Sequence, residues 1–156
     1  MTPENSDAKT ACLRLPAELD HLPVFLGHIR EIAQDAGLPE AKISRLELAV
    51  EEALVNVFNH AYDEQTRADG AVFCEVTTQA DGLTVEIVDQ GPPFDPLARP
   101  DPDTALEIDQ RQPGGLGILL IKTLVDEARY RREDGCNVLS LQINQSMSTL
   151  SPNSSP

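Results

Sequence analysis

In the stretch EEALVNVFNHAY, residues 51–62, an acid, an amide and an imidazole recur four positions apart, as Glu52, Asn56 and His60. In a helix that spacing stacks side chains along one line. A carboxylate one turn from an amide suits general-base chemistry beside a hard cation. Glu52 can polarise a hydroxyl or a water, and Asn56 offers a neutral oxygen of the kind Mg²⁺ accepts. The plainer reading is the polar face of an amphipathic helix. Against it, asparagine is a mediocre residue for a helix interior, so Asn56 calls for a partner. His60 borders the apolar arc and reads as a hydrogen-bonded packing residue.

Two further features follow downstream. The segment VEIVDQG ends an apolar run on Asp89, with Gly91 two residues on. Such an acid is either an ordinary turn residue or a fixed acceptor facing a pocket. The segment PGGLG, 113–117, brings Gly114, Gly115 and Gly117 directly ahead of ILLIKTLVDE. Glycines before a helix let backbone N–H groups crowd an anion, and the helix dipole favours negative charge there. A flexible loop end explains the same residues equally well. The segment lacks the GK[ST] of a phosphate-binding P-loop and does not follow a first strand as a dinucleotide fingerprint does.

The elements that must position these residues can be read from periodicity. TACLRLP alternates as a first strand with Cys12 or Leu13 inward. LDHLPVFLGHIREIAQDAG carries Leu22, Phe25, Ile29, Ile32 and Ala33 at helical spacing and stops at Gly37. A second helix opens at Pro39 and runs to about Tyr62. Its apolar arc holds Ile43, Leu46, Ala49, Val50, Ala53, Leu54 and Val57, while Glu47 and Glu51 fall on solvated positions. AVFCEVTTQ and LTVEIVD form a hairpin across Asp81-Gly82. A long Pro- and Asp-rich stretch follows, of the sort that forms a functional lid. Then come a third helix, GILLIKTLVDE, and a second hairpin turning at Gly135. The order predicts a single α+β domain. It is a two-layer sandwich with a mixed, mostly antiparallel sheet and helices on one face.

Composition narrows the partners. The chain has 156 residues, 40% of them hydrophobic, and a formal charge of −14. That is enough chain for one domain with a real core. The acidic field repels nucleic acid and anionic membrane surfaces, so neither is an expected partner, and no oily run is long enough to span a bilayer. Three scattered cysteines, Cys12, Cys74 and Cys136, fit a reducing cytoplasm rather than a disulfide or zinc framework. The N-terminus lacks the pattern of a signal peptide. Residues 1–8 and 146–156 are polar or Ser/Pro-rich and read as disordered tails around a domain of residues 9–145.

The order of these features resembles the GHKL (Bergerat-fold) ATP-binding superfamily. Within it, the chain is most similar to the anti-sigma-factor serine/threonine kinases of partner-switching modules. EEALVNVFNHAY resembles the N-box, VEIVDQGPPFDP the G1 box, and GGLGILLIKTLVDEARYRREDGCNVLSL the G2 box. The resemblance implies that Glu52 is the catalytic base and that Asn56 binds the Mg²⁺ bridging the phosphates of ATP. Asp89 would accept from the adenine amino group, with Gly91 allowing close approach. Gly114, Gly115 and Gly117 would form the phosphate cradle, and residues 92–113 the lid. Two departures stand out. Pro92 and Pro93 lie where the wider superfamily has a second glycine. A threonine that often supports adenine has no evident equivalent among Cys136, Asn137 and Ser140.

The implied activity is ATP-dependent phosphorylation of a STAS-type anti-anti-sigma protein by a cytoplasmic homodimer that also sequesters a sigma factor or similar regulator. No phosphoacceptor-histidine helix precedes the boxes, so a complete sensor histidine kinase is not expected. The alternative is a nucleotide-gated sequestering protein with little or no kinase activity; Glu52 separates the two, because a pure binder needs no base. A structural α+β domain without a ligand would make all three boxes coincidental.

Overall fold

The computed structural model describes residues 9–62, 70–98 and 121–145. Its elements run β1 (Lys9–Pro16), α1 (Leu22–Asp35), α2 (Glu40–His60), β2 (Ala71–Gln79), β3 (Gly82–Asp89), β4 (Glu127–Glu133) and β5 (Cys136–Asn144). The strands form one sheet in the order β1-β2-β3-β5-β4. Every described pairing is antiparallel. This is the expected α+β layering, with two hairpins joined side by side through β3 and β5.

Alternation along the strands decides the buried face. Val72, Cys74, Val76, Leu83, Val85, Ile87, Leu139, Leu141 and Ile143 all point to one side and are buried there. Phe25, Ile29 and Ala33 of α1 join them, as do Ile43, Leu46, Val50, Ala53, Leu54 and Val57 of α2, so one core fills the space between helices and sheet. On β1 the inward residue is Leu13, while Cys12 is exposed. The other sheet face is mostly polar, apart from an apolar row of Phe73, Val88 and Val138. Arg131 bridges to Glu86 at 2.9 Å, and Arg14 lies 5.4 Å above the Phe73 ring.

The chain reversals have identifiable causes. At the end of α1, Gly37 adopts φ 87°, a conformation that favours glycine. Leu38 N then donates to Ala33 O at 3.1 Å and Gly37 N to Gln34 O at 3.0 Å, the six-to-one and five-to-two closure of a Schellman cap. Pro39 leads α2 in, its carbonyl accepting from the Lys42 and Ile43 N–H groups. Asp134 and Gly135 have φ of 52° and 78°, as a two-residue hairpin turn of this hand requires.

Three sequence expectations shift. The first hairpin turns on Ala80 and Asp81, and Gly82 already pairs with Gln79 in the ladder. Gly82 is needed for another reason: a Cβ there would sit 2.4 Å from the Ile143 carbonyl oxygen of β5. Glu47 is not simply solvated, because Arg30 of α1 reaches it at 3.2 Å and ties the two helices together. The third helix is helical over 121–124 and gives way at Val125, so Glu127 belongs to β4. Among the described residues no helix is long and apolar enough to cross a membrane.

Candidate functional site

Asp89 is the last residue of β3, and its side chain turns to the helix side, where it is 5% exposed. The register sets Leu15, Val72, Asp89, Asn137 and Arg132 abreast, in one row across the sheet. A buried carboxylate needs donors. Its Oδ1 receives the Gly91 N–H at 2.8 Å and the Asn137 Nδ2 at 2.9 Å. Its Oδ2 has no donor among the described residues, and Asp89 lines a small pocket, about 30 Å³, that opens to solvent. Ala53, Asn56, Val57 and His60 of α2 form one wall of this pocket. Ile87, Asp89, Asn137 and Leu139 of the sheet face them, and Pro92, Phe94, Pro96 and Tyr130 complete it.

Asn137 is the hub of the sheet wall. Nδ2 donates to Asp89 and also to the Pro92 carbonyl at 2.9 Å. Oδ1 accepts from Phe94 N at 3.1 Å, from the Tyr130 hydroxyl at 2.6 Å and from Arg132 Nη1 at 3.1 Å. Rotating the amide would set its oxygen against a carboxylate and its NH₂ against three donors, so the surroundings admit one orientation. Arg132 Nη1 also donates to the Gly91 carbonyl at 2.8 Å.

A second set of contacts fixes the helix wall. Tyr62, just past α2, is 8% exposed; its hydroxyl donates to Ala71 O and accepts from Gln90 N, each at 2.8 Å. Burial pushes this phenol above its ordinary value, and the charge of Asp89 pushes the same way against the lowering effect of the Gln90 N–H. Gly70 leaves room for the Tyr62 ring, since a Cβ there would come within 2.7 Å of it. The end of α2 is thereby pinned to the start of β2 and the end of β3.

The structure brings Asn56 and Asp89 to opposite walls of one pocket. Asn56 is half-buried, and its amide makes no hydrogen bond with the described residues. Glu52 lies one turn earlier on α2, half-buried and likewise without a hydrogen bond or ion pair to the described residues, and it does not line this pocket. Among the described residues His60 has no hydrogen-bonded packing of the kind expected of it. It is exposed and stacks on Phe94, with ring centroids 6.0 Å apart and planes at 30°. Gly91 packs on Ala61. Gly114, Gly115, Gly117 and most of the expected lid lie outside the described residues, as do both expected tails. Of the lid, the described start packs inward, with Pro96 buried and Leu97 against the core.

Sequence reasoning missed Tyr62, Tyr130 and Arg132, and left Asn137 without a role. The signal for Asn137 is its register position opposite Asp89, which appears only when the β3–β5 pairing is known.

Among the described residues no three His, Cys, Asp or Glu side chains are grouped to hold a metal ion. A hard cation here would need ligand oxygens in addition to the open amide of Asn56. Mg²⁺ held by one or two protein oxygens and by substrate phosphates has that requirement, so the residues present fit it.

Residues 15–143 match the family described as the histidine kinase-like ATPase domain. The serine-protein kinase RsbW of Listeria monocytogenes is 30% identical over 131 residues, which cover 81% of this chain and 82% of that protein. The chain belongs to the histidine kinase-like ATPase family, among the RsbW-type serine-protein kinases. RsbW of Bacillus subtilis is equally similar, 30% identical over 132 residues, with 81% of this chain and 80% of that protein covered. The ATPase fold recurs in the solved structure of the RsbU and RsbW domains of a Mycobacterium tuberculosis protein. That structure has a TM-score of 0.62 at 16% identity and covers 86% of this chain and 31% of that one. The histidine kinase domain of an Erythrobacter litoralis blue-light activated kinase gives a TM-score of 0.50 at 21% identity, covering 80% of this chain and 61% of that one.

Proposed function

We propose that this protein transfers the γ-phosphoryl group of ATP to a serine or threonine of a STAS-type anti-anti-sigma protein. It also sequesters a sigma factor or analogous regulator, acting as a cytoplasmic homodimer. The observation that carries the reading is the pairing of Asp89, with one oxygen that receives no donor from the described residues, and Asn56, with an amide that none of them engages, across a single pocket. The free oxygen of Asp89 suits the exocyclic amino group of adenine. Asn56 would hold Mg²⁺ through its amide oxygen, and the ion, when bound, neutralises charge on the bridged phosphates. Gly115 and Gly117 would contact the phosphates, with Gly114 helping the turn, and residues 92–113 would form the lid.

Glu52 completes the chemistry. It projects from the same stripe as Asn56, one turn towards the start of α2, and no described partner occupies its carboxylate. In the transfer it takes the proton of the attacking hydroxyl. The new bond joins that oxygen to the γ-phosphorus, the bond to the β–γ bridging oxygen breaks, and ADP leaves. The relatives named serine-protein kinases support the choice of a hydroxyl acceptor.

The test incubates the protein with labelled ATP, Mg²⁺ and STAS proteins from the same genome, beside Glu52→Gln. Label should appear on one STAS protein and fall by about 10²–10⁴-fold in Glu52→Gln, with nucleotide binding retained. Undiminished transfer in the variant overturns the role of Glu52, and a chain that binds no ATP overturns the reading of the pocket.

A further inference from the structure

Three arginines lie on β4, and they behave differently. Arg129 pairs with Glu127, and Arg131 pairs with Glu86 and Glu133, all on the polar face of the sheet. Arg132 faces the other way. Among the described residues it has no carboxylate partner, and it donates there to two neutral acceptors, Gly91 O at 2.8 Å and Asn137 Oδ1 at 3.1 Å. A guanidinium directed at backbone and amide oxygens beside a pocket needs a reason beyond charge pairing.

The segment it grips supplies one. Pro92 and Pro93 have no N–H, so this loop has few donors with which to close on itself. Its carbonyls are held instead from the β4–β5 hairpin. Arg132 takes Gly91 O, Asn137 takes Pro92 O, and Phe94 N returns to Asn137 Oδ1. Through the Asn137 amide the same network runs from the guanidinium to the Asp89 carboxylate, since Oδ1 accepts from Arg132 while Nδ2 donates to Asp89 Oδ1. Both hydrogens of Nδ2 are used, and Oδ1 already has three donors. Asn137 therefore has no hydrogen-bonding capacity left for a ligand, and its function is to orient. A positive charge at one end of the chain and a negative charge at the other polarise each link and hold the amide in register.

We propose that Arg132 is a positioning residue for the nucleobase, acting through Asn137 and the Gly91 carbonyl to fix the Asp89–Phe94 segment. In this way the free oxygen of Asp89 meets an amino group rather than a carbonyl. The proposal rests on the nucleotide reading of the pocket. It assigns to a partner strand the loop-setting task that a second glycine in the loop would otherwise share.

The test measures binding of Mg²⁺–ADP and Mg²⁺–IDP to the full chain by calorimetry, for the wild type, Arg132→Ala, Arg132→Lys and Arg129→Ala. The Arg132 side chain is exposed but bonds two part-buried acceptors, so its replacement should lower the unfolding temperature modestly and leave the chain folded at the temperature of the binding assay. Arg132→Ala should weaken ADP about tenfold while IDP weakens less, so that the ADP-to-IDP affinity ratio falls about fivefold. Arg132→Lys keeps the charge without the planar fork and should fall between wild type and alanine. Arg129→Ala should match wild type. If the wild type binds ADP but Arg132→Ala keeps the ADP-to-IDP ratio, the positioning role is overturned and the nucleotide reading stands. If the wild type binds no adenine nucleotide, the nucleotide reading falls, and this proposal falls with it.

Discussion

Gly91 lies against the end of α2 so closely that a Cβ on it would stand 2.6 Å from the Ala61 carbonyl oxygen and 2.9 Å from the Ala61 Cβ. The two walls of the pocket thus meet backbone to backbone at this point. The resemblance assigns Gly91 to close approach by a ligand, whereas the close approach in the structure is to the protein's own helix end. The same residue gives Asp89 one of its two hydrogen bonds, so helix packing and carboxylate orientation depend on one missing side chain.

Gly91→Ala is therefore expected to lower stability by about 1–3 kcal/mol, the usual cost of forcing a methyl group into a filled space. It should also weaken ATP binding, because the Gly91 N–H moves with the backbone that must shift. Urea unfolding and calorimetry check the two effects together. Wild-type stability in the variant would show that Ala61 yields without strain and that the contact imposes nothing.

Asn56 offers the opposite separation. Its amide bonds to none of the described residues, and alanine is the better helix former by up to about 0.7 kcal/mol. Asn56→Ala should leave stability unchanged or slightly raised. Nucleotide binding should lose its metal dependence: ATP affinity with Mg²⁺ should fall to nearly the value measured in EDTA. An affinity that still rises sharply with Mg²⁺ would remove Asn56 from the metal site.

Much of this was legible in the sequence, for physical reasons. The period of α2 separates the buried arc from the stripe that holds Asn56, because a long amphipathic helix imposes its repeat on the residues. Alternation marks AVFCEVTTQ and LTVEIVD as strands, while the choice of Cys74 over Phe73 as the buried side chain needs the fold. The sequence could not show strand pairing. Without the β3–β5 register nothing sets Asn137 opposite Asp89, and without β4 alongside, Arg132 is one more charge in ARYRRE. Lys42 shows another limit: its position follows the helical repeat, but only the fold reveals that its ammonium reaches the Asn144 carbonyl at 2.5 Å and is 5% exposed. Long side chains can bury their stems and deliver the charge to an acceptor, so residue type alone does not decide their burial.

Tyr62 joins three elements through one oxygen, donating to Ala71 O and accepting from Gln90 N. Tyr62→Phe keeps the ring that Gly70 accommodates and removes both bonds, leaving a backbone acceptor and a backbone donor without their partner. The expected loss is about 1–3 kcal/mol, with faster amide exchange at Gln90. Exchange at Gln90 that matches wild type would show that another acceptor replaces the hydroxyl.

The core thiol makes a prediction at alkaline pH. Burial, with a smaller contribution from nearby Cys12, pushes the Cys74 thiol from an ordinary value of 9.0 up to about 12. Below pH 9 the thiol is protonated in both folded and unfolded chains, and its contribution to stability is fully present. Above that, the unfolded chain releases the proton while the folded chain keeps it, so the unfolded state binds fewer protons and stability falls as pH rises. The slope for one such group is at most about 1.4 kcal/mol per pH unit, and the contribution is lost as pH approaches the folded value. Tyr62, also raised by burial, adds a loss of the same sign at higher pH. Cys74→Ala should cost roughly 1 kcal/mol at pH 7.5, from the atoms removed from the core, yet lose stability less steeply between pH 9 and 10.5. Denaturant unfolding across that range checks it, and parallel slopes in the two proteins would show that Cys74 ionisation is not what the alkaline transition reports.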